Sequence, residues 1–330
     1  MSSDSSINTS FDVPESLAGK RIDQVLAHCL PDYSRSRLQN WLKSGFIQLD
    51  GRIPKPKEKV AGGEIITVQL QAALDDQVQE VWQAEAIPLD IVYEDASLIV
   101  INKPAGLVVH PGAGNRDGTL VNALLHHAPE LSKLPRAGII HRIDKDTTGI
   151  LVIARNLVAH HHLTKQLQDR EFNREYQAIV GGVMTAGGTI DAPIGRHPTQ
   201  RIKMAVLEES NTAKEAITHY RVEKKFRSHT LINVKLETGR THQIRVHMAH
   251  IKYPILGDPV YAGRLRIPTA ASDRFIEAIR QFKRQALHAR TLGFIHPKKD
   301  EYMEWSVEMP TDMLAIISLL EEDLASHENI

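Results

Sequence analysis

Gly138-Ile-Ile-His-Arg-Ile-Asp-Lys-Asp-Thr-Thr-Gly-Ile-Leu151 reads as strand, loop, strand. Side chains alternate between faces along an extended chain, so Arg142 and Asp144 share one face and His141 and Ile143 the other. One carboxylate and one guanidinium then project together from a strand end. Thr147, Thr148 and Gly149 supply turn chemistry for the loop backbone. Taken alone, the stretch fits a surface ion pair beside a turn as well as it fits a reactive site.

Outward from it, strand-like runs fall at 89–94, 98–103, 138–144, 150–154, 174–180, 215–222, 230–237, 287–294 and 303–308. Helical patterns fall at 119–127, 156–170, 241–251, 272–283 and 311–325. The two do not alternate, which favours an α+β domain over 89–330 with a mixed, mainly antiparallel sheet. Two further segments look functional. Leu236–His250 runs from a strand through Gly239 into a helix, where His242, Arg245 and Ala249 form one stripe. Arg240, Arg245 and the histidines there suit a phosphate or a carboxylate. Ile244, Val246 and Met248 alternate with them, which predicts a largely buried helix whose charges need partners. In the strand Arg174–Gly181, Tyr176, Ala178 and Val180 face inward, and Tyr176 reads as a core tyrosine as readily as a reactive one.

The N-terminal part has a different character. Arg21–Leu30 places Ile22, Val25, Leu26 and Cys29 at helical spacing, with Pro31 ending that helix. Ser34 can cap a second helix carrying Leu38, Trp41 and Leu42 inward, with Arg35, Arg37 and Lys43 on its exposed face. Asp50-Gly51 signals a hairpin. The expected boundaries are a disordered tail over 1–15, a small module over 16–75, a linker over 76–88 and the larger domain over 89–330.

The chain has 330 residues, 42% apolar and 24% charged, which excludes disorder as its main state. A single cysteine, Cys29, excludes a disulfide scaffold or a paired-cysteine zinc site. No apolar run reaches the ~18 residues of a membrane span, and the start does not read as a signal peptide, so a soluble cytoplasmic protein is expected. Forty basic and forty acidic residues cancel overall but not locally. Residues 19–60 carry net +5, 61–100 net −8, 196–266 net +8 and 298–330 net −7. Two basic segments in a neutral chain suit a polyanion. No phosphate-binding GxxxxGK[ST] loop occurs. Gly112–Gly118 imitates a dinucleotide fingerprint with the wrong spacing and reads as a loop. His160-His161-His162 reads as a solvated helix face rather than a metal site. No cofactor is implied.

His141–Gly149, HRIDKDTTG, resembles the HRxDxxTxG signature of the pseudouridine synthases of the RluA type. Asn102–Pro111 (NKPAGLVVHP), Arg174–Gly182 (REYQAIVGG) and Gly239–Tyr261 resemble that family's other motifs, as do KPKEKV, PLDIVYED, PRAGI, RHPT and RQALHA. The likeness runs through nearly the whole chain. Ile143 and Thr148 stand where the family usually has Leu and Ser, and neither carries the chemistry. Residues 16–75 resemble an S4-type RNA-binding domain.

The resemblance implies isomerisation of uridine in RNA: the N1–C1′ bond breaks, the uracil turns, and C5 bonds to C1′. It implies Asp144 as the catalytic aspartate, Tyr176 packing on the base, and Arg245 pairing with the aspartate. Arg142 would fill the gap left by a flipped nucleotide. Arg240, His242, Arg21, Arg35, Arg37 and Lys43 are the remaining candidate RNA contacts. The implied partner is 23S rRNA or a large ribosomal subunit precursor, at the stem-loop called helix 69. A monomer is expected, with no membrane and no nucleotide cofactor. Two other classes compete on the residues alone, a non-catalytic RNA-binding protein and a glycosidase or nucleosidase. Isomerisation leaves the RNA mass unchanged, whereas base excision loses uracil.

Overall fold

The computed structural model describes residues 8–30, 33, 35–69, 82–112, 114–200, 203–208, 210 and 212–328. The chain divides into two compact units, Met1–Val81 and Trp82–Ile330.

In the small unit, β1 (Asn8–Asp12), β2 (Ile47–Leu49) and β3 (Ile65–Gln69) form an antiparallel sheet in the order β1-β3-β2. Helices α1 (Ile22–Cys29) and α2 (Arg35–Lys43) bury Ile22, Val25, Leu26, Leu38, Trp41 and Leu42 with Ile47, Leu49, Ile66 and Val68 of the sheet. Asp23 of α1 is buried and joins the helices, accepting from Arg21 at 2.9 and 3.0 Å and from Gln39 of α2 at 3.0 Å. Asp50 and Gly51 both take positive φ, and Leu49 and Arg52 exchange backbone hydrogen bonds across them. That is the two-residue turn the sequence signals. Pro31 and Ser34, with their stop and cap, lie outside the described residues.

Two boundary expectations change. The segment expected to be a disordered tail holds β1, because Phe11 and Val13 pack on the small core and β3 supplies the ladder bonds. Residues 1–7 lie outside the described residues, as do 70–81 of the connector. The end of that connector is not a free linker. Trp82 packs on the larger core, Asn122 Nδ2 donates to the Gln83 carbonyl at 2.7 Å, and Gly118 N–H donates to Glu85 at 2.9 Å.

The larger unit is built on a nine-stranded sheet. Its strands are β4 (Ile91–Glu94), β5 (Leu98–Lys103), β6 (Thr148–Ala154), β7 (Asn173–Gly181), β8 (Gly188–Asp191), β11 (Ile217–Lys225), β12 (His229–Leu236), β13 (Leu287–Ile295) and β14 (Tyr302–Ser306). Two short strands, β9 (Ile194–Arg196) and β10 (Met204–Val206), pair apart from it. The order is β4-β5-β6-β13-β7-β12-β11-β8, with β14 also on β13. Every pairing is antiparallel except β6 with β13. The mixed, mainly antiparallel α+β architecture is therefore the one expected. β6 is buried at every position, as its unbroken apolar run Gly149–Ala154 requires.

Helices α3 (Leu120–His127), α4 (Leu157–Gln168), α5 (Gln243–His250), α6 (Asp273–Gln281) and α7 (Thr311–Glu328) complete the unit. Asn156 caps α4 through Ala159 N–H at 2.9 Å, and Ser272 caps α6 through Phe275 N–H at 3.2 Å. Among the described residues, no helix is long and apolar enough to cross a membrane.

The expected strand over 138–144 is absent. Arg136, Ala137 and Gly138 take left-handed φ of 53°, 51° and 78°, and only Ile139 bridges to Ile153 of β6. A Cβ on Gly138 would overlap the Ala154 carbonyl, so the chain passes β6 closely and then leaves it. Ile139 and Ile143 are buried as loop residues. Hydrophobic alternation reports burial but not ladder partners, so Ile139 and Ile143 are buried although the backbone between them forms no strand. Strands β8, β9 and β10 were not anticipated.

Candidate active site

Loop 139–147, β7, the turn after β12 and α5 surround a cleft of about 900 Å³. Asp144, Arg142, Tyr176, Arg240, His242 and Arg245 all line it. Six candidates spread over about a hundred residues of sequence thus meet in one place. Arg21 is held by Asp23 in the small unit, and Lys43 is exposed at the end of α2. The side chains of Arg35 and Arg37 lie outside the described residues.

The loop bearing Asp144 is held from several sides. Thr147 N–H donates to the Asp144 carbonyl at 3.1 Å, and Gln285 Nε2 to Thr147 Oγ1 at 3.0 Å. Lys103 is 0% exposed, and its ammonium meets the carbonyls of Pro104, Leu107 and Lys145 at 2.7, 3.0 and 2.8 Å. Those three acceptors use all of its donors. Burial pulls this amine down to about 8, with Asp146 and Asp144 opposing. His141 is half-buried against Phe172, and its Nε2 accepts from Val152 N–H at 3.3 Å. Burial, with Arg174 adding to it, lowers His141 to about 3, so it is a neutral strut.

Arg245 is the centre of the polar network. Its Nη1 donates to Asp144 Oδ2 at 2.9 Å. Its Nε and Nη2 form a bidentate pair with Asp258 at 2.7 and 2.9 Å. Burial alone would lower the guanidinium, but the Asp258 and Asp144 carboxylates hold it protonated. Asp258, whose side chain is 0% exposed, also accepts from the Val260 and Tyr261 amides at 2.8 and 3.0 Å. The buried charge on α5 therefore has the partners it needs, one facing the cleft and one behind it.

His242 takes a left-handed φ of 58° just before α5, which aims its ring at the cleft. Its Nε2 stands 3.9 Å from Asp144 Oδ2, and its Nδ1 is 2.8 Å from the Tyr261 hydroxyl. That hydroxyl accepts from Met204 N–H at 2.9 Å, and with its own proton on His242 Nδ1 the Nε2–H faces Asp144. Burial lowers His242 below its ordinary value against the pull of Asp144, so it is neutral at pH 7. Tyr176 is buried, and burial pushes its phenol up, with Arg174 opposing and Asp144 adding to the rise. It offers an uncharged ring beside the carboxylate. Asp146 is not among the cleft residues, so it makes no glycosidase-like pair with Asp144. Among the described residues no group of three or more His, Cys, Asp or Glu side chains is placed to hold a metal.

Lys103, Arg174, Asp258 and Tyr261 belong to this site and were not singled out from the sequence. The signal for Asp258 was present, since a buried Arg245 with a single carboxylate leaves donors unused. Nothing local marks Lys103 as buried.

Residues 97–250 match the RNA pseudouridylate synthase family. The chain is 53% identical over 317 residues to the ribosomal large subunit pseudouridine synthase D of Pseudomonas aeruginosa, covering 96% of this chain and 97% of that protein. The chain belongs to the RNA pseudouridylate synthase family. This synthase is also 51% identical over 318 residues to the protein of the same name from Escherichia coli strain K12, covering 96% of this chain and 95% of that one. The solved structure of human RNA pseudouridylate synthase domain containing 4 superposes with a TM-score of 0.56 at 29% identity, covering 70% of this chain and 93% of that one. The enzyme is thus an isomerase that makes pseudouridine.

Proposed function

We propose that the enzyme isomerises specific uridines of large-subunit ribosomal RNA, the helix 69 stem-loop of 23S rRNA, in the bacterial cytoplasm. Asp144 is the reacting carboxylate. The observation that carries the reading is the Arg245–Asp144 pair beside the Tyr176 ring in one cleft. A carboxylate that acts as nucleophile or base must be aimed, and a buried guanidinium anchored on Asp258 holds Asp144 in place through a charge-assisted hydrogen bond. A stacked or paired uridine cannot reach such a cleft, so the base flips out at a cost of a few kcal/mol. Arg142 is exposed at the cleft and makes no hydrogen bond among the described residues, which leaves it available for the vacated space. The relatives named for the large subunit support the choice of RNA. The small unit acts as an S4-like RNA-binding domain over residues 16–75, and the protein works as a monomer on rRNA or a large-subunit precursor, supporting ribosome assembly.

The test is pseudouridine mapping of 23S rRNA from cells that carry the wild-type enzyme, Asp144→Asn, or neither. The amide keeps the size of the carboxylate and removes its charge. Wild type restores pseudouridine in helix 69, and D144N restores none while still binding RNA, a loss of about a thousandfold or more. Pseudouridine elsewhere overturns the target, near-normal activity of D144N overturns the role of Asp144, and loss of uracil mass overturns isomerisation.

A further inference from the structure

Arg174 precedes Tyr176 by two positions on β7, so the two side chains share the face that lines the cleft. It is 6% exposed. A buried guanidinium ordinarily has a carboxylate partner, as Arg245 has two. Arg174 has none among the described residues. Its one hydrogen bond is from Nη2 to the Glu237 carbonyl at 3.0 Å, and its buried Nε has no partner. The charges that bear on it include Arg240, another cation. Burial lowers Arg174 from its ordinary value, a sign of how poorly the fold compensates it.

The turn after β12 passes close beside it: a Cβ on Gly239 would stand 2.8 Å from Arg174 Nη1 and would push the guanidinium aside. Arg240 follows directly and lines the same cleft. The result is a buried, preorganised fork of N–H donors with spare capacity and no counter-charge. We propose that Arg174 is the binding residue for a backbone phosphate of the nucleotide drawn into the cleft, with Arg240 as its outer partner. The anion completes a site that the apo fold leaves electrostatically open. A planar guanidinium fits two phosphate oxygens at once, and charge-assisted bonds of this kind are the strong ones. The proposal rests on the cleft being the RNA site.

The experiment compares full-length wild type, Arg174→Met and Arg174→Lys in binding a hairpin RNA with a uridine-containing loop over a range of salt. R174M is expected to weaken binding about tenfold or more. Its log–log salt slope should be shallower by about 0.7–0.9, the amount one phosphate contributes. R174K should keep the slope and lose part of the affinity. Thermal unfolding distinguishes a structural role, since removing an uncompensated buried cation leaves Tm unchanged or higher. Inorganic phosphate should raise the Tm of wild type more than that of R174M. An unchanged salt slope in R174M overturns the proposal whatever its Tm, and so does an equal phosphate effect on both proteins. These are binding and stability measurements, so they stand even if pseudouridine mapping fails to place the target in helix 69.

Discussion

Arg245 binds two carboxylates with different jobs, and its removal separates them. Arg245→Met leaves Asp258 buried without a counter-charge, which costs about 3–5 kcal/mol of stability. It also leaves Asp144 without its hydrogen-bonded cation, so turnover should fall far more than RNA affinity. Equal losses in kcat and Kd would instead mark Arg245 as a phosphate contact. The acid sensitivity of the fold should trace to Asp258. Burial would raise this carboxyl, but Arg245 and the Val260 and Tyr261 amides hold it below its ordinary value. A carboxyl lowered on folding stabilises the protein fully above its unfolded value of about 4, and that contribution is lost as pH falls through the folded value. Urea unfolding of wild type and Asp258→Asn should therefore show a stability gap that is widest above about pH 5 and narrows in stronger acid.

At the level of elements, β6 and β13 form the one parallel strand pair among the described residues, and it is short: His288 with Thr148 and Ala289 with Gly149. Gly149 has φ of 112°, and a Cβ there would overlap the Ala289 carbonyl. Gly149→Ala should destabilise the enzyme by about 2 kcal/mol or more, read by chemical denaturation. Activity should suffer too, because Thr148 Oγ1 meets His288 Nδ1 at 2.9 Å just behind the Asp144 loop. Much of this was legible in the sequence. The buried helix over 241–251 followed from Ile244, Val246 and Met248 alternating with polar residues, and α5 is buried from Gln243 to Met248. The motifs pick out Asp144, Tyr176 and Arg245 together, and the fold brings the three to one cleft. The loop over 139–147 was not, because Ile139, Ile140 and Ile143 look the same buried in a loop or in a strand. Nor was β1, whose partner lies more than fifty residues away. Lys103 and Arg174 were hidden for one reason: a cation in a strand reads as surface until the fold closes over it.

Over the whole molecule, every cleft residue belongs to Trp82–Ile330. Removing residues 1–81 should leave that unit folded and able to isomerise uridine at high enzyme concentration. If the small unit touches RNA, as proposed, binding to structured rRNA should weaken, with a shallower salt slope, since the net +5 segment 19–60 would supply a sequence-independent contribution. A truncated protein with an unchanged slope would show that the small unit does not touch RNA. The strand order carries a consequence for synthesis. β13 lies between β6 and β7, yet it is made more than a hundred residues after β7. A growing chain therefore carries an open seam through the middle of its sheet, with two unpaired edges of the kind that invite wrong pairings. Gln285 and His288, which brace the Asp144 loop, arrive with that same late strand. The bracing of the Asp144 loop should therefore form only once β13 has been made, and a chain cut short before residue 287 is expected to show no isomerase activity.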